Sequence, residues 1–180
     1  TTVANSAGVL YFSAAAGGRD AVFALATGAD GGRAPTELVD FSSMPAAQPG
    51  GGYLLVHSTR SDMLGVAAWD GTAARHFAVT SNLEDTTPRW NPGGNALVFG
   101  STRYGDGRSR IYRAGFDANV TAVDLGFGAD PDWGPGDTIV FKGCGADGNG
   151  CGLWLMDAAG GNRRALTANP GDSRPRFTPD

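Results

Sequence analysis

Two cysteines and two histidines are all that 180 residues hold of the side chains that most often ligate metals or activate nucleophiles. Cys144 and Cys151 lack the second pair that a structural zinc site needs, and His57 and His76 lie far away in sequence. There is no Gly-x-Ser-x-Gly elbow, no His-Glu-x-x-His helix and no Gly-x-x-x-x-Gly-Lys phosphate loop. Charge is also scarce, at 18% of residues with a net charge of −4. The nearest thing to a basic cluster is Arg163-Arg164, followed by Arg174 and Arg176, too few to neutralise a phosphate backbone, so no nucleic acid is expected. No apolar run approaches the roughly 18 residues that cross a bilayer as a helix, and no basic start leads into an apolar core as in a signal peptide. Helix itself is nearly excluded, because Gly or Pro interrupts almost every window of ten residues.

Glycine is abundant instead, with 29 copies, accompanied by ten prolines and a 41% apolar content. Turn chemistry on that scale, without a collagen triplet, indicates many short strands joined by tight loops. The turns recur. Pro88-Arg89-Trp90-Asn91-Pro92 returns as Pro131-Asp132-Trp133-Gly134-Pro135 and as Pro175-Arg176-Phe177-Thr178-Pro179, with a degenerate copy at Pro45-Ala46-Ala47-Gln48-Pro49. The leading prolines are spaced by 43, 43 and 44 residues, which defines the repeat.

Each anchor is followed by a Gly-rich turn and a run apolar on both faces: Tyr53–Val56, Ala96–Phe99 and Thr138–Phe141, with an earlier copy at Val9–Phe12. A strand covered by neighbours on both sides needs that pattern. Two copies continue identically, as Ser58-Thr59-Arg60 and Ser101-Thr102-Arg103. Third strands are expected at Ala21–Leu25, Gly65–Trp69, Arg110–Ala114 and Leu153–Met156. Turns such as Asp30-Gly31-Gly32, Asp70-Gly71, Asp117-Ala118-Asn119 and Ala159–Asn162 then lead to weaker fourth strands near 37–39, 75–79, 120–124 and 164–167. Four strands per repeat of 43 residues make an all-β chain, a β-propeller of about four four-stranded blades forming a single domain over 1–180. The units run over about 1–44, 45–87, 88–130 and 131–174, with the next beginning at 175–180.

The phrase Pro-x-Trp-x-Pro-Gly, β run, Ser-x-Arg, Ile-Tyr, Asp turn and Arg-x-Leu-Thr resembles the TolB-type, WD-like propeller repeat. Residues 90–112 carry most of it, and Arg164-Ala165-Leu166-Thr167 supplies its ending. The second unit departs by placing Ala47 where the aromatic stands, and the fourth by replacing Ser-x-Arg with the cysteine loop. The chain ends are out of phase with the repeat. Two arrangements follow: a ring closed by pairing of N- and C-terminal strands (within one chain, or as half of an eight-bladed ring of two copies), or a stretch of a larger propeller.

In the first strand of each unit, the residue after the proline is Ala46, Arg89, Asp132 or Arg176, and Glu84, Asp85, Asp130 and Asp172 stand in the approaches. Alternation along a strand sets these opposite the wedge aromatics or toward the channel mouth. The expected ligand-binding set is therefore Arg89, Asp132, Arg176, Asp85 and Asp130, able to hold a charged peptide tail or a polar sugar. An internal salt-bridge lattice, Arg89 with Asp132 for example, is the competing account of the same residues. Asp137, Asp147 and Asn149 are too few to make a calcium loop and read as turn formers. His57 and His76 read as strand positions without a catalytic partner.

Cys144 and Cys151 flank a glycine-rich loop, which suits a disulfide across a hairpin mouth, and disulfides persist in oxidising compartments. The expectation is an extracytoplasmic (periplasmic, cell-surface or secreted), non-catalytic module that needs no cofactor and binds a protein or glycan partner through its axial face or rim. The TolB resemblance implies protein contacts in the cell envelope. Two alternatives stay open: a propeller domain of a larger enzyme, of the peptidase-gating or polysaccharide-lyase type, and a structural subunit of a surface layer or filament, which would self-associate.

Overall fold

The computed structural model describes residues 8–28, 34–71, 76–116 and 121–178. The turns expected at Asp30-Gly31-Gly32 and Asp117-Ala118-Asn119 lie outside the described residues, as do the side chain of His76 and Pro179 of the last anchor.

Four antiparallel sheets follow one another along the chain. The first has three strands, β1 (Val9–Ala16), β2 (Arg19–Ala26) and β3 (Thr36–Asp40). The second holds β4 (Ser42–Ala47), β5 (Leu54–Ser58), β6 (Gly65–Trp69) and β7 (His76–Ala78). The third holds β8 (Asp85–Trp90), β9 (Ala96–Ser101), β10 (Arg110–Gly115) and β11 (Val123–Phe127). The fourth holds β12 (Ala129–Gly134), β13 (Thr138–Gly143), β14 (Gly152–Asp157) and β15 (Arg164–Ala165), with a short 3-10 turn at Pro135–Asp137. Each strand pairs with its sequence neighbour, the up-and-down order of propeller blades. The inner strands start two or three residues before the anchor prolines, at Ser42, Asp85 and Ala129.

Each sheet is too thin to bury both faces alone, so successive blades cover one another. Leu54, Val56 and Ala67 of the second blade meet Val22 and Val39 of the first. Leu55, Val66 and Ala68 meet Trp90, Leu97 and Phe99 of the third. Val98 and Ile111 meet Trp133, Ile139 and Phe141 of the fourth. The doubly apolar runs thus alternate between two wedges, and Leu55, Val56, Leu97, Val98, Phe99 and Ile139 are fully buried. The inner strands also touch in turn, β4 against β8 and β8 against β12, and so line the axis.

The first and last units differ from this regular stack for one reason. Among the described residues β1 pairs only with β2, and Val9 and Leu10, apolar like their counterparts, are 54% and 52% exposed. The segment that carries the last anchor lies instead against β12: Phe177 packs its ring on the backbone of Gly134 and donates its N–H to Asp132 Oδ2 at 2.7 Å. It repeats the way each inner strand lies on the one before. Of the closures open from sequence, pairing of the two ends within one chain is not formed among the described residues.

Each inner strand carries the same irregularity. Between Ser43 and Ala46, Thr86 and Arg89, and Ala129 and Asp132 the register slips by one residue, a β-bulge. The residue before each anchor proline, Met44, Thr87, Asp130 or Arg174, takes a left-handed φ of 55°, 51°, 50° or 53°. Proline disfavours the right-handed helical region for its predecessor, and the bulge resolves the conflict on the left-handed side at a cost of about 1 kcal/mol or more per residue.

Candidate ligand-binding site at the inner strands

The bulges decide what the axial side chains do. Each resets the alternation just before the anchor, so Arg89 follows Thr87-Pro88 and Asp132 follows Asp130-Pro131 on neighbouring inner strands. Arg89 Nε lies 3.9 Å from Asp132 Oδ1, an ion pair too long for a hydrogen bond, with the two side chains 18% and 12% exposed. The other oxygen of Asp132 accepts from Phe177 N. Arg89 donates Nη1 to the carbonyl of Pro88 at 2.6 Å, and Arg176 does the same to Pro175 at 2.5 Å.

Arg89, Asp132 and Arg176 therefore form one row across three successive inner-strand segments, with Asp130 beside them. Burial pushes the Arg89 guanidinium down to about 10, and the positive charge of Arg176 pushes the same way, against Asp132 and Asp130. Arg176, at the open end of the row, is also lowered, first by loss of water around it, with Asp132 and Asp130 opposing. Both guanidiniums are thus partly dehydrated, and Asp132 stands as the ion-pair partner of Arg89.

Asp85 is not part of this row. It is fully buried at the start of β8, and both of its oxygens accept from Arg103. The Arg103 guanidinium also lies over the rings of Phe99 and Tyr112, 5.2 Å and 4.7 Å from their centroids. This explains the repeated Ser-Thr-Arg phrase: Ser101 Oγ accepts the Arg103 N–H, and Ser58 Oγ accepts the Arg60 N–H. In the second blade the position of Asp85 is Ser42, and Arg60 turns to Asp40 and Asp62 instead. Asp85 holds a blade together, and Arg89 meets Asp132 across neighbouring inner strands.

The remaining candidates are local. His57 pairs across the strand with Ser43, its Nδ1 3.4 Å from the hydroxyl, and Nε2 lies 3.1 Å from the Leu83 carbonyl, which ties β5 to the approach of β8. Asp147 closes on Asn149 through the amide and backbone N–H, which together hold its carboxyl below the usual range. Cys144 and Cys151 are disulfide-bonded. Among the described residues no helix is long and apolar enough to cross a membrane.

Solved structures share this fold. The chain superposes on a putative TolB from Agrobacterium tumefaciens with a TM-score of 0.73 at 21% identity, over 88% of this chain and 60% of that one. It superposes on TolB from Acinetobacter baumannii with a TM-score of 0.70 at 20% identity, over 90% of this chain and 44% of that one. The fold is a TolB-type β-propeller. The propeller also resembles the β-propeller domain of the Trilobed protease from Pyrococcus furiosus, with a TM-score of 0.58 at 10% identity, over 88% of this chain and 52% of that domain. In each case the chain spans less than two thirds of the other's length. No family model and no curated protein sequence matches it.

Proposed function

We propose that this propeller is a non-catalytic, extracytoplasmic interaction module that captures an acidic segment of a partner protein at its inner strands. The observation that carries this reading is the Arg89–Arg176 row. Two guanidiniums on successive inner-strand segments are partly dehydrated, while Asp132 spends one oxygen on the Phe177 N–H and stands 3.9 Å from Arg89 with the other. A ligand carboxylate entering there would gain charge-assisted hydrogen bonds from both arginines and relieve their mutual repulsion. The disulfide supports an oxidising compartment. TolB-type likeness supports protein contacts by analogy of fold, and the site argues the chemistry.

The test uses a fluorescent Glu-rich decapeptide, titrated by anisotropy against the wild-type chain, Arg89→Ala and Arg176→Ala, with thermal melts of all three. The expected result is salt-sensitive binding that each substitution weakens about tenfold or more, with melting temperatures unchanged or raised. Substitutions that instead unfold the chain would mean that the row is a structural salt-bridge lattice.

Likeness to a protease's propeller domain favours a second reading, a domain that gates an enzyme whose catalytic part lies outside these residues. Its acidic-peptide site would then select substrates rather than hold a partner. Peptides retained by the wild-type chain but unaltered over time fit either reading; cleavage on adding a hydrolase domain in the same chain would decide for the second.

A further inference from the structure

The bulges that set the axial side chains also take backbone groups out of the regular ladder. Between Thr86 and Arg89 the register of β8 on β9 slips, and Thr87 stands in the slip with φ at 51°. Its N–H is taken by a side chain of the inner strand before it, donating to Met44 Sδ at 3.3 Å. Met44 holds the equivalent bulge position of β4, so one thioether links the two bulges across the seam between the second and third blades. Sulfur is a weak acceptor. The next seam lacks such a bond, because the Thr87 hydroxyl is buried without a partner among the described residues.

The chain has three methionines, and they differ in access. Met63 and Met156 are each 2% exposed, packed into the wedge between the first two blades and the wedge between the last two. Met44 is 37% exposed near the start of β4. Oxidation of a thioether follows access, so an oxidant that reaches the folded chain meets Met44 first.

We propose that Met44 is a redox modification site, oxidised to the sulfoxide by peroxides, and that its new oxygen takes over the Thr87 N–H and tightens the seam between β4 and β8. A sulfur lone pair attacks one oxygen of hydrogen peroxide. The S–O bond forms as the O–O bond breaks, sulfur gives up two electrons, and the departing hydroxide takes the proton left on the transferred oxygen and leaves as water. In a packed core the polar product disrupts its surroundings, but Met44 is exposed and carries no such penalty. A sulfoxide oxygen bears partial negative charge and accepts an N–H more strongly than sulfur does. Methionine sulfoxide reductases reverse the step, which makes the seam switchable.

The test treats the full chain with millimolar hydrogen peroxide, quenches it with free methionine and follows added oxygen on each methionine by peptide mass mapping. Met44 should oxidise about tenfold or more faster than Met63 and Met156. Amide exchange at Thr87, read by nuclear magnetic resonance, should slow about threefold or more in the oxidised chain and return on reduction by the reductases. Met44→Leu should exchange faster at Thr87 than wild type and not respond to peroxide. Met44→Gln, whose amide oxygen is a permanent acceptor, should exchange slowly without peroxide. Equal oxidation of the three methionines overturns the proposal. So does a Thr87 exchange rate that oxidation leaves unchanged or raises, or one that Met44→Leu leaves as in wild type. None of these readouts involves peptide binding, so this proposal and the acidic-segment reading fail separately.

Discussion

The indole Nε1 of Trp90 donates to the backbone carbonyl of Ala46 at 3.0 Å, from one inner strand to the one before it. Trp133 holds the same place in the next blade, equally buried, yet its Nε1 has no partner among the described residues. One indole stitches two blades together, and the other only fills space.

Trp90→Phe should therefore destabilise more than Trp133→Phe. Both lose similar apolar area, but only the first breaks a hydrogen bond and strands a carbonyl, a difference of about 1 kcal/mol. Urea unfolding of the two variants, compared through midpoints at equal slope, reads it. Equal losses would mean that the Trp90–Ala46 bond contributes nothing net.

Arg89 carries its charge against its surroundings. Its pKa stands at about 10 in the fold, well below the ordinary arginine value that the unfolded chain keeps, chiefly through burial. Between those values the unfolded chain holds more protons, so this residue's contribution to stability improves as pH rises through 10 and is constant and unfavourable well below it. Arg89→Gln should match or exceed wild type at neutral pH, and its advantage should shrink as pH passes about 10. Urea midpoints for both proteins at neutral and alkaline pH check the sign. A variant less stable than wild type at neutral pH would show that Asp132 more than compensates the buried guanidinium.

Cys144 and Cys151 close a short loop at the rim of the fourth blade, with a sequence separation of 7. Loop-closure entropy for that length amounts to about 2.5 kcal/mol. Dithiothreitol should lower the unfolding midpoint by a corresponding amount without dispersing the sheets, read by far-ultraviolet circular dichroism. A reduced chain that loses its β signal at neutral pH would mean that the blade depends on the bridge.

The propeller was legible in the sequence because its signal is periodic. The spacing of Pro45, Pro88, Pro131 and Pro175, the doubly apolar runs and the Gly-rich turns each report on one blade, and repetition averages out the weak copies. Third strands such as Arg110–Ala114 fall where their pattern sets them. Of the axial residues, the sequence placed Arg89 and Asp132 at equivalent positions of successive repeats, and the structure pairs them across neighbouring inner strands. Asp85 does not join them. Three residues from Pro88 in sequence, it lies across the bulge and points to Arg103 in its own sheet.

Local composition and period, then, determined the strands, the turns and the stacking order, since each depends on neighbours within about 43 residues. The tertiary structure alone decided the rest. Whether a carboxylate meets Arg89 or Arg103 depends on a one-residue slip in register that alternation cannot show. Whether Ala47 is a harmless gap or the wall of a cavity depends on Trp69 and Tyr11, brought to it by a sheet and by a neighbouring blade. Whether Val9 and Leu10 are core or surface depends on which strand lies beside β1, a contact that no apolar pattern within β1 can specify.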